Sequence, residues 1–260
     1  MDGLYTVSGF IVGFIVGITG VGGGSLMTPL LVLGFGIPPV TAVGTDLLYA
    51  ALTKLGGSWA HSRNGAVDWK VVRLLAAGSV PAALLSVWLL HRIQLDERSL
   101  RTLISSVLSA ALVLTALALL AKPFVRKRLA GADGAVYAPP AALLPGATVC
   151  AGAVLGVLVA LSSVGAGALG VVLLQVLYPR TPAARIVGTD IAHAVPLTLI
   201  AGLGHVAIGS VDFGLLGSLL LGSLPGIWLG SHVGIRIPER ILRPLLAAML
   251  LLVGGRVAFA

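Results

Sequence analysis

Apolar runs close to twenty residues long follow one another along the whole chain, and they limit its possible folds more than any other feature. They lie near residues 4–19, 25–36, 39–60, 70–90 and 99–121, then near 142–161, 167–178, 183–204, 213–231 and 242–259. A helix needs about 20 such residues to cross a ~30 Å hydrocarbon core. Only 10% of the residues are charged and 57% are hydrophobic, whereas a soluble domain carries about 25% charged residues. Such a chain cannot cover a water-facing surface. The sequence predicts an all-α polytopic membrane protein of eight to ten membrane segments, with the lipid bilayer as its surroundings.

The second five segments repeat the first five. Gly44-Thr45-Asp46 returns as Gly188-Thr189-Asp190, 144 residues later. At the same offset His61 meets His205, Gly65 meets Gly209, and Val67-Asp68 meets Val211-Asp212. Gly78-Ser79 and Pro81 likewise meet Gly222-Ser223 and Pro225. Matches in turns as well as in apolar runs exclude mere similarity of composition and point to duplication. The expected units are residues 1–128 and 141–260, joined by a connector loop over 129–140 that follows a basic connector, Lys122 to Arg128.

Lys and Arg placement predicts how the copies are oriented, because cytoplasmic loops carry the excess. If each copy's opening pair of short segments counts as one span, the copies are parallel and the bases divide evenly between the two sides. If the pair goes in and back, the copies are inverted. Arg63, Lys70, Arg73, Lys122, Arg126, Lys127, Arg128, Arg180, Arg185, Arg236, Arg240 and Arg243 then fall inside, and only Arg92, Arg98, Arg101 and Arg256 outside. The sequence thus predicts inverted repeats, with both termini outside. The opening Met1-Asp2-Gly3 has no basic stretch before its apolar run, so the run reads as a retained membrane segment. The net charge of +8 is spread over turns without interleaved aromatics, which argues against nucleic acid. Cys150, the only cysteine, excludes a disulfide within the chain.

Three features are candidates for chemistry. The first is a Gly-rich break in each copy, Gly20-Val21-Gly22-Gly23-Gly24-Ser25 and Ser162-Ser163-Val164-Gly165-Ala166-Gly167. Each glycine is worse than alanine in a helix by about 1 kcal/mol, so successive glycines predict interrupted helices. Non-helical backbone at membrane depth belongs where it lines a cavity or is buried in protein. A helix restarting at Ser25 or Ala168 would aim free N–H groups and a positive dipole end at an anion. The bland reading is that the glycines only let helices approach closely. A dinucleotide loop is excluded, because no strand precedes the glycines.

The second feature is the Gly-Thr-Asp pair. Asp46 and Asp190 lie within apolar segments, where a carboxylate costs about 2.5–3.5 kcal/mol on insertion scales. Three roles stay open: carrying a coupling proton, pairing with a cation, or capping a helix that restarts after Gly44 or Gly188. Lys54 and Arg185 have no basic counterpart in the other copy. Snorkelling to headgroups is the expectation for both, with Arg185 also placed to pair with Asp190 or to attract an anion. Third, His61, His205 and the following Gly-x-Val-Asp read as a corner in which Asp68 and Asp212 cap the next helix. His193 reads as a hydrogen-bonded packing residue or a proton carrier. No HExxH, GxSxG, cysteine cluster or ATP-binding motif is present, so no enzyme, metal or cofactor is expected.

The Gly-rich opening, the proline, Gly-Thr-x and His-x-x-x-Gly-x-Val-Asp, in duplicate and in this order, resemble the sulfite exporter TauE/SafE family of bacterial membrane permeases. The resemblance covers about residues 8–257. It implies transport of sulfite, organosulfonates or related small anions across the cytoplasmic membrane. Serine commonly follows Gly-Thr in that family, and Asp46 and Asp190 depart from that pattern. The expectation is a secondary carrier for a small sulfur-containing anion, working in export. Its site would comprise Gly22, Gly23, Gly24, Ser25, Thr45, Ser163, Gly165, Gly167 and Thr189, with Asp46 and Asp190 proton-linked or structural. The rivals are a proton-coupled uptake permease and a non-transporting membrane anchor subunit.

Overall fold

The computed structural model describes residues 3–19, 24–93, 96–129, 139–234 and 239–258. Among these residues the chain is helical. It runs α1 (Gly3–Thr19), α2 (Gly24–Pro29) followed by a π-helical turn (Leu30–Gly34), α3 (Pro39–Arg63), α4 (Trp69–Ile93) and α5 (Glu97–Leu129). Then come α6 (Leu144–Ser162), α7 (Ala168–Leu177), α8 (Ala183–Ala207), α9 (Phe213–Gly234) and α10 (Glu239–Ala258). Five of the described helices are long and apolar enough to cross a membrane: α4, α5, α6, α8 and α9. All four tryptophans are exposed: Trp59, Trp69, Trp88 and Trp228. Arg63 lies over the Trp59 ring at 4.5 Å and Arg92 over Trp88 at 5.5 Å. Exposed Trp beside Arg near helix ends is the expected arrangement at a membrane–water interface. The chain is an all-α, multi-pass membrane protein.

Proline and aspartate start the helices. Pro39 opens α3, and Pro182 precedes α8, positions at which its missing N–H costs nothing. Asp68 accepts the N–H groups of Lys70 and Val71 at the start of α4, and Asp212 accepts that of Leu215 at the start of α9. The duplicated corner is therefore a turn with a cap, as its sequence suggests. Its Gly65 and Gly209 take positive φ, 64° and 72°, a conformation that favours glycine.

Small residues set the packing of the outer helices. A Cβ on Gly9 would lie 2.4 Å from the Leu219 carbonyl oxygen, and one on Gly222 would lie 1.8 Å from that of Thr6. α1 and α9 thus touch backbone to backbone. The equivalent pair is α4 with α6, where a Cβ on Gly78 would lie 1.9 Å from the Val149 oxygen and one on Gly152 2.2 Å from that of Leu75. In the centre α3 packs on α8, and α8 is the most buried of the five spans. α5 packs on α10, with Ser109 donating to the Gly254 carbonyl at 2.7 Å.

Two sequence expectations are overturned. The basic stretch Lys122–Arg128 is not a connector but the last turns of α5, which runs on to Leu129; Lys and Arg are good helix formers. Neither α3 nor α8 breaks at Gly-Thr-Asp. No helix restarts there, and Asp46 and Asp190 are not caps. Each aspartate lies about two turns inside a helix already started by proline.

Candidate functional site

The two halves of Gly-Thr-Asp do different things. A Cβ on Gly44 would stand 2.7 Å from the Ser210 carbonyl oxygen, and one on Gly188 would stand 2.1 Å from that of Ala66. Each glycine therefore receives the corner of the other copy. The neighbouring threonine holds that corner. Thr45 Oγ1 accepts the N–H of Asp212 at 3.1 Å, and Thr189 Oγ1 accepts that of Asp68 at 2.9 Å. Thr189 also donates to the Arg185 carbonyl at 2.6 Å. Both threonine hydroxyls are thus engaged at the corners.

The aspartates turn into the protein. Asp46 is 0% and Asp190 1% exposed, and each lies against the short helix of its own copy. Thr28 of α2 donates to Asp46 Oδ2 at 2.5 Å, and Oδ1 has no hydrogen-bond partner among the described residues. Asp190 rests on α7: a Cβ on Gly170 would lie 1.8 Å from Asp190 Oδ1. Neither of its oxygens has a hydrogen-bond partner among the described residues.

Between them runs the break of the second copy. Ser163 has φ 59°, and Gly165 and Gly167 have φ 126° and 143°. This left-handed path ends α6 and re-aims the chain into α7, and only glycine takes the two wider angles readily. Ser163 is buried beside the Asp46 carboxyl, its own hydroxyl short of a hydrogen bond. Lys54 reaches across from α3 and donates to the Ala166 carbonyl at 2.7 Å. Its ammonium is in electrostatic reach of both carboxylates and of His193. The expectation that Lys54 snorkels to headgroups is overturned. It lies nine residues before the end of α3 at Arg63, about 14 Å at the helical rise, beyond what a lysine stem spans.

His193 is buried and shares a hydrogen bond of 2.8 Å with the Ser79 hydroxyl of α4, while its Nδ1 has no hydrogen-bond partner among the described residues. His205 is tied at both nitrogens, to Ser210 Oγ and to the Ala160 carbonyl, each at 2.9 Å. Arg185 pairs with neither aspartate of the site. It is half exposed and lies 3.4 Å from Asp68 Oδ2 at the corner. Gly22 and Gly23 lie outside the described residues; Gly24 and Ser25 begin α2. The structure thus brings Ser163, Gly165, Gly167, Asp46 and Asp190 to one buried strip and adds Lys54 and Thr28. Thr45, Thr189 and Arg185 it sets at the corners.

The duplicated break, the buried carboxylates and the corner all lie within a stretch matched by one family model, Sulfite exporter TauE/SafE, over residues 5–257. The chain belongs to the sulfite exporter TauE/SafE family. It is similar to the Probable membrane transporter protein YjnA of Bacillus subtilis (strain 168), with 39% identity over 95% of both chains. The Probable membrane transporter protein YdhB of the same strain is 27% identical over 94% of this chain and 97% of its own. No solved structure matches. Membership of the TauE/SafE family, relatives matched along nearly their full length and the apolar helices together make this chain a membrane transporter.

Proposed function

We propose that this chain is a secondary carrier of a small sulfur-containing anion, sulfite or an organosulfonate, across the cytoplasmic membrane. One observation carries the reading. The break Ser163–Gly167 is non-helical, lies between the apolar span α6 and the short apolar helix α7, and has a lysine ammonium held against its backbone. Irregular backbone at membrane depth that carries a cation and opens a helix N-terminus is the construction of an anion site in broken-helix transporters. The family description supplies the sulfur chemistry.

In this reading the backbone of Ser163, Gly165 and Gly167, with Gly22–Ser25 from the other copy, surrounds the anion. Thr45 and Thr189 keep the two copies in register by holding each other's corners. An anion moving without a co-ion is driven out of an inside-negative cell by about 2.3 kcal/mol per 100 mV, which favours export. The buried pair Asp46 and Asp190 favours a second form, in which a proton accompanies the anion.

Purified protein in liposomes, loaded in turn with sulfite, sulfoacetate, taurine or sulfate, tests the proposal. Protein-dependent flux of at least one sulfur anion is expected, with sulfate slower. Absence of flux for every one of them, in both directions, refutes the carrier.

A further inference from the structure

We propose that the Lys54 ammonium is the group that receives the transported anion, and that Asp190 takes up one proton each time an anion arrives. The inference rests on the carrier reading above and develops its proton-accompanied form.

Three charged side chains lie in order along the second break. Asp46 stands at its Ser163 end, Lys54 on the Ala166 carbonyl in the middle, and Asp190 against Gly170 in the first turn of α7. Lys54 has no counterpart: the equivalent residue is Thr198, which spends its hydroxyl on the Ala194 carbonyl of its own helix at 2.8 Å. The two copies therefore share one cation, and it sits on the break of the second. Two carboxylates face one ammonium there. The ammonium bonds the Ala166 carbonyl and is in a salt bridge with neither carboxylate among the described residues. Both act on it electrostatically, so an entering anion must compete with their field for it.

The two carboxylates differ in how they bear that competition. Asp46 keeps the Thr28 hydroxyl as a donor whether or not Lys54 attends to it. Among the described residues Asp190 has no donor of its own. It lies beside the N-terminal turn of α7, where an anion would also be drawn. Once Lys54 turns to the substrate, a bare Asp190 carboxylate would be buried with neither a counter-charge nor a hydrogen bond, an arrangement proteins avoid. A proton entering from the same side relieves this by forming an O–H bond on Asp190, and that bond breaks when the anion leaves. For a monovalent anion, bisulfite or a monosulfonate, one negative and one positive charge arrive together, so the site's net charge is unchanged. Among the described residues the titratable group acting on Asp190 is Lys54 from α3, and that same ammonium also acts on Asp46 and on His193 of α8. The α7 sequence offers none, and α4 presents Ser79 to His193. Transport is then electroneutral, and its direction follows the anion and proton gradients combined.

The test uses the same liposomes with a pH dye inside and a potassium–valinomycin clamp, and the sulfonate or sulfite that moves in the carrier assay. Protein-free liposomes correct for uncatalysed leak. The wild-type chain is expected to move about one proton per anion in the same direction, at a rate that does not follow the clamped voltage. A proton-to-anion ratio near zero, or flux that follows voltage, overturns the inference and leaves the carrier reading standing. Asp190→Asn is expected to lower that ratio at least tenfold, and Lys54→Met to lower anion flux at least tenfold, with partial recovery in Lys54→Arg. An unchanged ratio in the first variant, or undiminished flux in the second, overturns the assignment. If no sulfur anion moves at all, the carrier reading itself has failed.

Discussion

At the scale of single residues, two glycines facing oxygen atoms have opposite consequences. The Cβ of an alanine at 170 would lie 1.8 Å from Asp190 Oδ1, the far end of a side chain that can rotate. Alanine is also the better helix former by about 1 kcal/mol. Gly170→Ala is therefore expected to fold with a melting temperature within a few degrees of wild type, yet to lose most transport because the carboxyl is pushed off α7. Thermal melting in detergent beside liposome flux checks both halves, and retained flux would show that the seat of Asp190 is unimportant. Asp46 and Asp190 were legible in the sequence because a carboxylate in an apolar run has no cheap explanation. Lys54 stood out only for having no basic counterpart in the other copy and was expected to snorkel, because sequence shows that a lysine lies in a span and not which way its stem turns. Its depth below the helix end was the available clue. Thr28 gave no signal, since a hydroxyl inside an apolar helix is ordinarily satisfied by its own backbone.

At the scale of elements, the helices were legible because membrane thickness fixes their length, and their ends because proline and aspartate mark them. The end of α5 was not, since bases that look like a loop in composition also extend a helix. The glycines were the harder case. Gly9, Gly13 and Gly17 of α1, Gly78 of α4, Gly152 and Gly156 of α6, and Gly222, Gly226 and Gly230 of α9 serve close packing. Gly165 and Gly167 instead take backbone angles that turn the chain, and composition treats all of them alike. Gly78 separates the two uses. Its added Cβ would lie 1.9 Å from the Val149 backbone oxygen and 2.8 Å from the Ala153 nitrogen, and backbone cannot rotate away as a carboxyl can. Gly78→Ala is expected to pry α4 from α6 and cost roughly 1–3 kcal/mol, the usual range for overpacking. A lowered melting temperature with flux reduced in proportion to folded protein would follow. Unchanged melting would mean that the two helices can slide.

At the scale of the whole molecule, helix directions bear on how the copies sit in the bilayer. Contacts between α3 and α8 join Gly44 to His205, Leu48 to Gly202, Gly57 to Ile191 and Gly188 to His61. As residue numbers rise on α3 they fall on α8, so these equivalent helices run antiparallel. Contacts between α1 and α9 join Thr6 to Gly222, Phe10 to Gly226 and Phe14 to Gly230, so that pair runs parallel. The short corner Ile208–Asp212 turns α8 back into α9, which makes α1 and α3 co-directional, with α2 and the π turn returning the chain between them. The Lys and Arg distribution predicts an opening pair that goes in and back. α3 has 25 residues, about 37 Å of helix, enough to place the corner after α3 on one side of the membrane and the corner after α8 on the other. Single cysteines at exposed positions of these corners, Asn64→Cys and Ala207→Cys in a Cys150→Ser background, test the proposed inversion. In intact cells an impermeant thiol reagent is expected to label Ala207→Cys, and Asn64→Cys only after the membrane is opened. Labelling of both from the same side would put the corners on one face, and the carrier would then need another way to expose its midplane site to the two sides in turn.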